Sequence, residues 1–262
     1  MKGNLAMILA IDVGNSNVVI GAIHENQVQF VSRMATEGCR TEDQYAIYFR
    51  EILSLYQMQG TDFSGGIISS VVPPVTNVIA KAVTRIIGKE PLIVGPGIKT
   101  GLNISIDNPS QLGSDIVVDN VAARHLYSGA VIVIDMGTAT TMSVTDEKGN
   151  IRGGAIAPGV GISLNALSQN AAQLQGINLE NPKKVIGTNT VDSMKSGMVY
   201  GWASMLDGMI ERFLDELGTP ATVVATGGHA RHIIPHCKRD IVYNENLLLT
   251  GLNLVYQMNA KE

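Results

Sequence analysis

Short apolar runs alternate with turn-forming clusters along this chain, and one such pattern occurs twice. Residues 7–13 read as a buried strand that ends in Ile11-Asp12-Val13. Gly14-Asn15-Ser16-Asn17 then make a turn, and residues 18–23 form a second apolar strand. Residues 131–144 repeat the arrangement, with Ile134-Asp135-Met136-Gly137 at the strand end and Thr138-Ala139-Thr140-Thr141 leading into the next strand. The same interval, about half the chain, separates Asp12 from Asp135 and Gly14 from Gly137. Each copy continues into a third strand, over 28–33 and 151–157, and the second carries the hairpin signal Lys148-Gly149-Asn150. Short apolar stretches at 66–71 and 222–225 read as further buried strands. Helical spacing of apolar positions predicts helices over 42–56, 75–87, 111–127, 191–217 and 245–258.

Strand-turn-strand units followed by helices and more strands predict an α/β fold made of two halves related by duplication. The expected halves are residues 1–110 and 111–262. The chain has 262 residues, 45% hydrophobic and 16% charged, which is enough apolar material for a core in each half.

Charge and cysteine content narrow the partners. A net charge of -4, with the 19 Lys and Arg scattered, provides no basic stripe for nucleic acid, so none is expected as a partner. Cys39 and Cys237 stand far apart, without disulfide or zinc-knuckle spacing, and this predicts a reducing, cytoplasmic setting. The apolar opening, residues 1–10, runs directly into Asp12 and lacks a cleavage pattern, so it reads as the start of the first strand. No apolar run approaches the ~20 residues a membrane span needs, and no membrane association is expected.

The doubled turn carries the chemistry. Small residues let backbone N–H groups converge on an anion, Asn and Ser add hydrogen bonds, and an Asp at the strand end can hold a hydrated cation. A lone Asn-Gly turn would mean little, but two copies with the same acid and glycine suit a pair of loops for nucleotide phosphates. Other nucleotide motifs fail: Lys99-Thr100 lacks the preceding Gly of a P-loop, and Gly159-Val160-Gly161 is followed by Leu164 where a dinucleotide fingerprint has Gly. Thr226-Gly227-Gly228 closes a strand and allows close backbone approach to a ligand, or simply makes a turn. His229, His232 and His236 have helical spacing but no carboxylate or Cys to complete a metal site, and read as surface residues. Asp115 and Asp119 begin a helical pattern after Gly113-Ser114. On pattern alone Asp115 is either a helix-terminal acid or a base that orients a hydroxyl for phosphoryl transfer.

DVGNSN (12–17), GPGIKTGL (95–102), GSD (113–115), DMGTATT (135–141), GGAIAPG (153–159), NTVDSMKSG (189–197) and TGG (226–228), in this order, resemble the type III pantothenate kinases across nearly the whole chain. The resemblance implies an actin-like fold of two ribonuclease-H-like domains, a homodimer, ATP, Mg2+ and a monovalent cation, K+ or NH4+. It implies phosphorylation of pantothenate to 4'-phosphopantothenate, the first step towards coenzyme A. Asp12, Val13, Gly14, Asn15, Ser16, Asn17, Val18 and Val19 would then form the ATP phosphate loop, with Thr138 contacting ATP from the second copy. Asp135 resembles the monovalent-cation ligand and Asp115 the proton acceptor. Gly113 and Ser114 would line the pantothenate pocket, and Thr190 would reach the neighbouring subunit's pocket. Two positions of that pocket depart from the family pattern: Ile116 stands where Arg usually follows the catalytic Asp, and Ile106 stands where Tyr is usual. A kinase for another small alcohol and a catalytically silent nucleotide-binding paralogue with a regulatory role are the competing expectations.

Overall fold

The computed structural model describes residues 7–171 and 173–260, so the first six residues of the expected opening strand lie outside the described residues. The elements begin with β1 (Met7–Val13), β2 (Asn17–His24), β3 (Gln27–Ala35), α1 (Glu42–Leu55), β4 (Phe63–Ser70), α2 (Pro73–Ile87) and β5 (Leu92–Ile93). Next come β6 (Asn103–Ile104), α3 (Ser114–Leu126), β7 (Ala130–Met136), β8 (Ala139–Thr145), β9 (Asn150–Pro158) and α4 (Val160–Asn170). The remainder is α5 (Thr190–Leu217), β10 (Ala221–Thr226), α6 (Ala230–Ile233), β11 (Val242–Tyr243) and α7 (Leu247–Asn259). The five expected helices correspond to α1, α2, α3, α5 and α7. Helix α4 was not among them, because Gly159-Val160-Gly161 reads locally as a turn.

Two compact units are interleaved along the sequence. Unit 1 comprises Met1–Gly101, Asn108–Ala122 and Asn246–Glu262; unit 2 comprises Leu102–Asp107 and Ala123–Glu245. The segment that carries Asp115 and the helix α7 therefore join the first repeat.

Unit 1 is built on a five-stranded sheet in the order β3-β2-β1-β4-β5. Strands β1 and β2 pair antiparallel with Asp12 opposite Val19, and β4 lies parallel to β1 with Ser69 opposite Asp12. The β2–β3 turn places Glu25 and Asn26 at φ 49° and 64°, the left-handed pair that a tight two-residue hairpin requires. A capping box starts α1, with the Thr41 side chain accepting from Gln44 N and the Gln44 side chain accepting from Thr41 N. Helix α2 opens on Pro73 and ends at Gly88 in the left-handed region. Leu9, Ile11, Ile20, Phe49, Ile68 and Ile79 form the centre of the buried cluster.

Neighbouring glycines of β4 separate the two faces of this sheet. A Cβ at Gly66 would meet Val83 and Ile87 of α2, whereas one at Gly65 would meet Tyr256 of α7. Successive strand residues point to opposite faces, so α2 covers one and α7 the other. Helix α7 also touches α3: a Cβ at Gly251 would lie 2.1 Å from the Val118 carbonyl oxygen. Its Asn253 and Gln257 amides both donate to Asn26 Oδ1 at 2.7 Å.

Unit 2 repeats the plan with the order β11-β10-β7-β8-β9-β6. Strands β7, β8 and β9 are antiparallel neighbours, while β10 and β11 continue parallel from β7. Helix α5 buries Val199, Trp202, Leu206 and Ile210 with Ile132, Ile134 and Met142. Asn189 caps its start by accepting from Asp192 N, and Gly218 ends it at φ 71°.

Gly251→Ala tests the α7–α3 packing. The added methyl cannot avoid the backbone of Val118, and overpacking of this kind typically costs about 1–3 kcal/mol. The expected result is a lowered urea midpoint with an unchanged slope.

Candidate active site

Unit 1 brings two groups of sequence-predicted residues to the carboxyl ends of β1 and β4, the usual ligand edge of such sheets. The first is the turn after β1. Gly14 N–H donates to Asn17 O at 3.0 Å and closes the turn. Asn15, Ser16 and Asn17 are exposed at its tip, Val13 and Val18 are buried beneath it, and Asp12 and Val19 are partly buried.

The second group is the start of α3. Ser114 Oγ lies 2.9 Å from Ser69 Oγ, accepts from Ser70 N–H at 3.0 Å and donates to Ser70 O at 3.0 Å. A hydroxyl has one donor and two acceptor positions, so these contacts use all three. Ser114 therefore braces α3 against the end of β4, and its hydroxyl has no donor to spare for a ligand. Since Asp12 and Val13 pair with Ser69 and Ser70, the brace links the start of α3 to the strand that ends in the first turn.

Asp115 follows directly. The Ile116 N–H donates to its Oδ1 at 2.8 Å. Burial pushes the Asp115 carboxyl above the ordinary aspartate range, partly offset by hydrogen bonds from the Ile116 and Asp115 N–H groups. Gly113 makes room for this carboxylate, because a Cβ there would stand 2.3 Å from Oδ1. Ile116 is partly buried and presents no charge. Arg124 does not supply one in its place, since its guanidinium donates to the carbonyls of Gly129 and Glu147, the latter at 3.2 Å. Asp119, four residues beyond Asp115, is only 2% exposed.

In unit 2, Asp135 occupies on β7 the position Asp12 occupies on β1, opposite Thr141 on β8 and Thr226 on β10. Gly227 lies against this strand end with φ 92°, and a Cβ there would be 2.5 Å from Asp135 Oδ1. The Thr226-Gly227-Gly228 segment thus makes the close approach that only glycine permits. Thr138 is exposed in the β7–β8 turn, and His229 N–H reaches back to Met136 O at 3.4 Å. Burial holds the His229 imidazole below its usual pKa, with His232 adding to the effect. Ile106 and Thr190 also belong to unit 2. Ile106 approaches Gly153 on β9, and Thr190 is exposed at the first turn of α5, in the wall of a cavity of about 620 Å³ with Leu167, Leu174, Met194 and Met198.

The oxygen donors of Asp12 and the Asn15-Ser16-Asn17 turn in unit 1, and separately of Asp135 in unit 2, are of the kind that suits a hard cation or a phosphate. Among the described residues no three His, Cys, Asp or Glu side chains converge, so a divalent ion here would draw its other ligands from phosphate oxygens and water. Reading by motif missed Ser69 and Ser70; two serines closing an otherwise apolar strand are the signal that marks them.

The family model described as type III pantothenate kinase matches residues 8–212. The chain belongs to the type III pantothenate kinase family. It is 42% identical over 253 residues to the type III pantothenate kinase of Brevibacillus brevis, covering 97% of this chain and 99% of that one. The type III pantothenate kinase of Halalkalibacterium halodurans is 43% identical over 254 residues, covering 97% of this chain and all of its own. Among solved structures, a conserved putative Baf family transcriptional activator from Campylobacter jejuni aligns with a TM-score of 0.61 at 17% identity, over 96% of this chain and 98% of that one. A ROK family glucokinase from Streptomyces griseus, solved with glucose and AMPPNP, aligns with a TM-score of 0.53 at 12% identity, over 96% of this chain and 100% of that one. At these identities the structural likeness speaks for the fold, which is the expected actin-like α/β arrangement in a type III pantothenate kinase chain.

Asp115→Asn tests the burial of the carboxylate. A group whose folded pKa is raised binds its proton more tightly in the folded state, so the stability it contributes is present below the unfolded value of about 3.9 and lost as pH rises through the folded value. The ionised side chain therefore costs stability at neutral pH. The asparagine protein should melt higher than the parent at pH 7, with the difference narrowing towards pH 4. Parallel melting curves across that range would count against a buried, ionised Asp115.

Proposed function

We propose that this chain transfers the γ-phosphoryl group of ATP to the primary hydroxyl of pantothenate, with Asp115 as the base. The supporting observation is the position of Asp115: a partly buried carboxylate with one oxygen fixed by Ile116 N–H, braced through Ser114 to the end of β4, the strand paired with the one that carries the Asp12 turn. The names of the relatives supply the substrate and the reaction class.

The residue roles follow from that reading. The Asp12–Val19 segment receives the phosphates through backbone N–H groups and the Asn15, Ser16 and Asn17 side chains. Thr138 would contact ATP from the second hairpin, and Asp135 would hold the monovalent cation, K+ or NH4+. A magnesium ion bound with the nucleotide would neutralise charge on the phosphate oxygens. Asp115 orients the pantothenate hydroxyl and takes its proton as the oxygen bonds to the γ-phosphorus; the bond from that phosphorus to the bridging oxygen breaks, and ADP departs with the electron pair. Gly113 keeps the space that the Asp115 carboxylate needs, and Ser114 acts by holding the start of α3. Ile106 and Ile116 give the acceptor pocket an apolar character that favours, as a second reading, a small alcohol without a carboxylate.

The protein works as a homodimer in the cytoplasm, with Thr190 completing the neighbouring subunit's pocket. Thr190 is exposed, and Gly197, Gly201 and Gly208 follow along α5 with nothing within 4 Å of where a Cβ would stand. A face of that kind allows close approach of a second helix. Among the described residues no helix is long and apolar enough to cross a membrane.

Steady-state kinetics with ATP, Mg2+ and K+ test the catalytic reading. Asp115→Asn should keep ATP affinity within about twofold while lowering turnover by ~100-fold or more, the usual contribution of a general base. Ile116→Arg should lower the KM for pantothenate by about tenfold by adding a cationic partner for its carboxylate. Full activity in the asparagine protein would sink the mechanism, and turnover only on alcohols without a carboxylate would favour the second reading. Sedimentation at micromolar concentration should give a dimer; a monomer would leave Thr190 without its role.

A further inference from the structure

Thr36 lies one residue beyond the end of β3, outside every motif that points to the nucleotide. Its backbone N–H donates to Ser16 O at 3.0 Å, and its hydroxyl donates to Gly14 O at 2.7 Å. With Gly14 N–H on Asn17 O, three carbonyls of the β1–β2 turn are bonded within the protein. A phosphate is attracted by N–H groups and repelled by carbonyl oxygens, so a turn that receives one must keep its carbonyls directed elsewhere. The two bonds from Thr36 do this for Gly14 and Ser16.

The second repeat contains the same brace. Gly159 follows β9 as Thr36 follows β3, and the interval between them equals that between Asp12 and Asp135. Its N–H donates to Thr138 O at 3.1 Å. Here the backbone itself is pressed against the turn: a Cβ at Gly159 would lie 2.2 Å from Thr138 O and 2.6 Å from Gly137 O. One copy uses a hydroxyl to reach the second carbonyl, while the other dispenses with a side chain altogether. Two hairpins of different sequence thus hold their turns from the same position.

We infer that Thr36 is a positioning residue for ATP: it holds the Gly14–Asn17 turn in the form that accepts phosphate, without touching the nucleotide. The inference rests on the reading of Asp12–Val19 as the phosphate loop. It adds that the loop's competence depends on a hydroxyl supplied from the far end of the third strand.

Thr36→Val keeps the shape and removes the hydroxyl, and Thr36→Ser restores it. The full chain would be studied by calorimetric titration with MgATP and by steady-state kinetics with pantothenate as acceptor. In the valine protein the dissociation constant and KM for ATP should rise by about five- to tenfold, the usual worth of one hydrogen bond. The KM for pantothenate should stay unchanged, and the serine protein should return to within about twofold of the parent. If the parent binds MgATP and the valine protein binds it equally well, the anchor is refuted and the phosphate loop stands. If the parent binds no MgATP, the phosphate-loop reading falls and takes the anchor with it. A valine protein that loses thermal stability and both KM values alike, without rescue by serine, would mark Thr36 as merely structural and overturn the inference. Thr36→Ala provides the same comparison should valine prevent folding.

Discussion

One hydroxyl group has all its hydrogen-bonding capacity committed at the point where unit 1 joins its sheet to the start of α3. Ser114 meets Ser69 and both backbone groups of Ser70, and Ser69 is fully buried. Breaking into this set would strand a buried polar group, at a typical cost of about 1–3 kcal/mol. Asp115 is the next residue, so its position is inherited from β4, and β4 is registered on β1 through Asp12 and Val13. A carboxylate set by strand register is held more precisely than one carried on a free loop. The glycine at 113 completes the arrangement by leaving the carboxylate its space.

Local periodicity made most of the fold readable. The strand signals at 7–23 and 131–144 carried enough β-branched residues, and enough turn residues at their ends, to place β1, β2, β7 and β8, and the five longer helices followed from their apolar spacing. Helix α4 escaped because Gly161, Ser163 and Asn165 weaken its apolar stripe and its first residues resemble a turn. Interleaving of the units escaped for a different reason. Nothing in residues 247–259 taken alone says that they pack on α3; the contact depends on Gly251 meeting Val118, and such long-range packing leaves no local signature.

The candidate site was legible where its residues recur. Asp12 with Gly14 and Asp135 with Gly137 stood out because the pair recurs, and the structure gives each Asp the same strand position in its own unit. Ser69, Ser70 and Thr36 did not stand out, because serine ending a strand and threonine opening a polar loop are ordinary turn chemistry. Their importance appears only when the partners of each hydroxyl are known. Ser114 illustrates the difference, since its place in the GSD motif suggests contact with a ligand while its three hydrogen bonds direct it inward.

The α7–α3 packing also orders events during synthesis. Residues 114–126, which carry the proposed base, are made long before residues 247–259, against which their glycine-matched surface closes. Chains emerge at about 5–20 residues per second, and domains usually settle as they appear. Here the start of α3 must wait for a helix encoded much later, so the growing chain has its β1–β2 hairpin well before the helix that carries the proposed base is firmly seated.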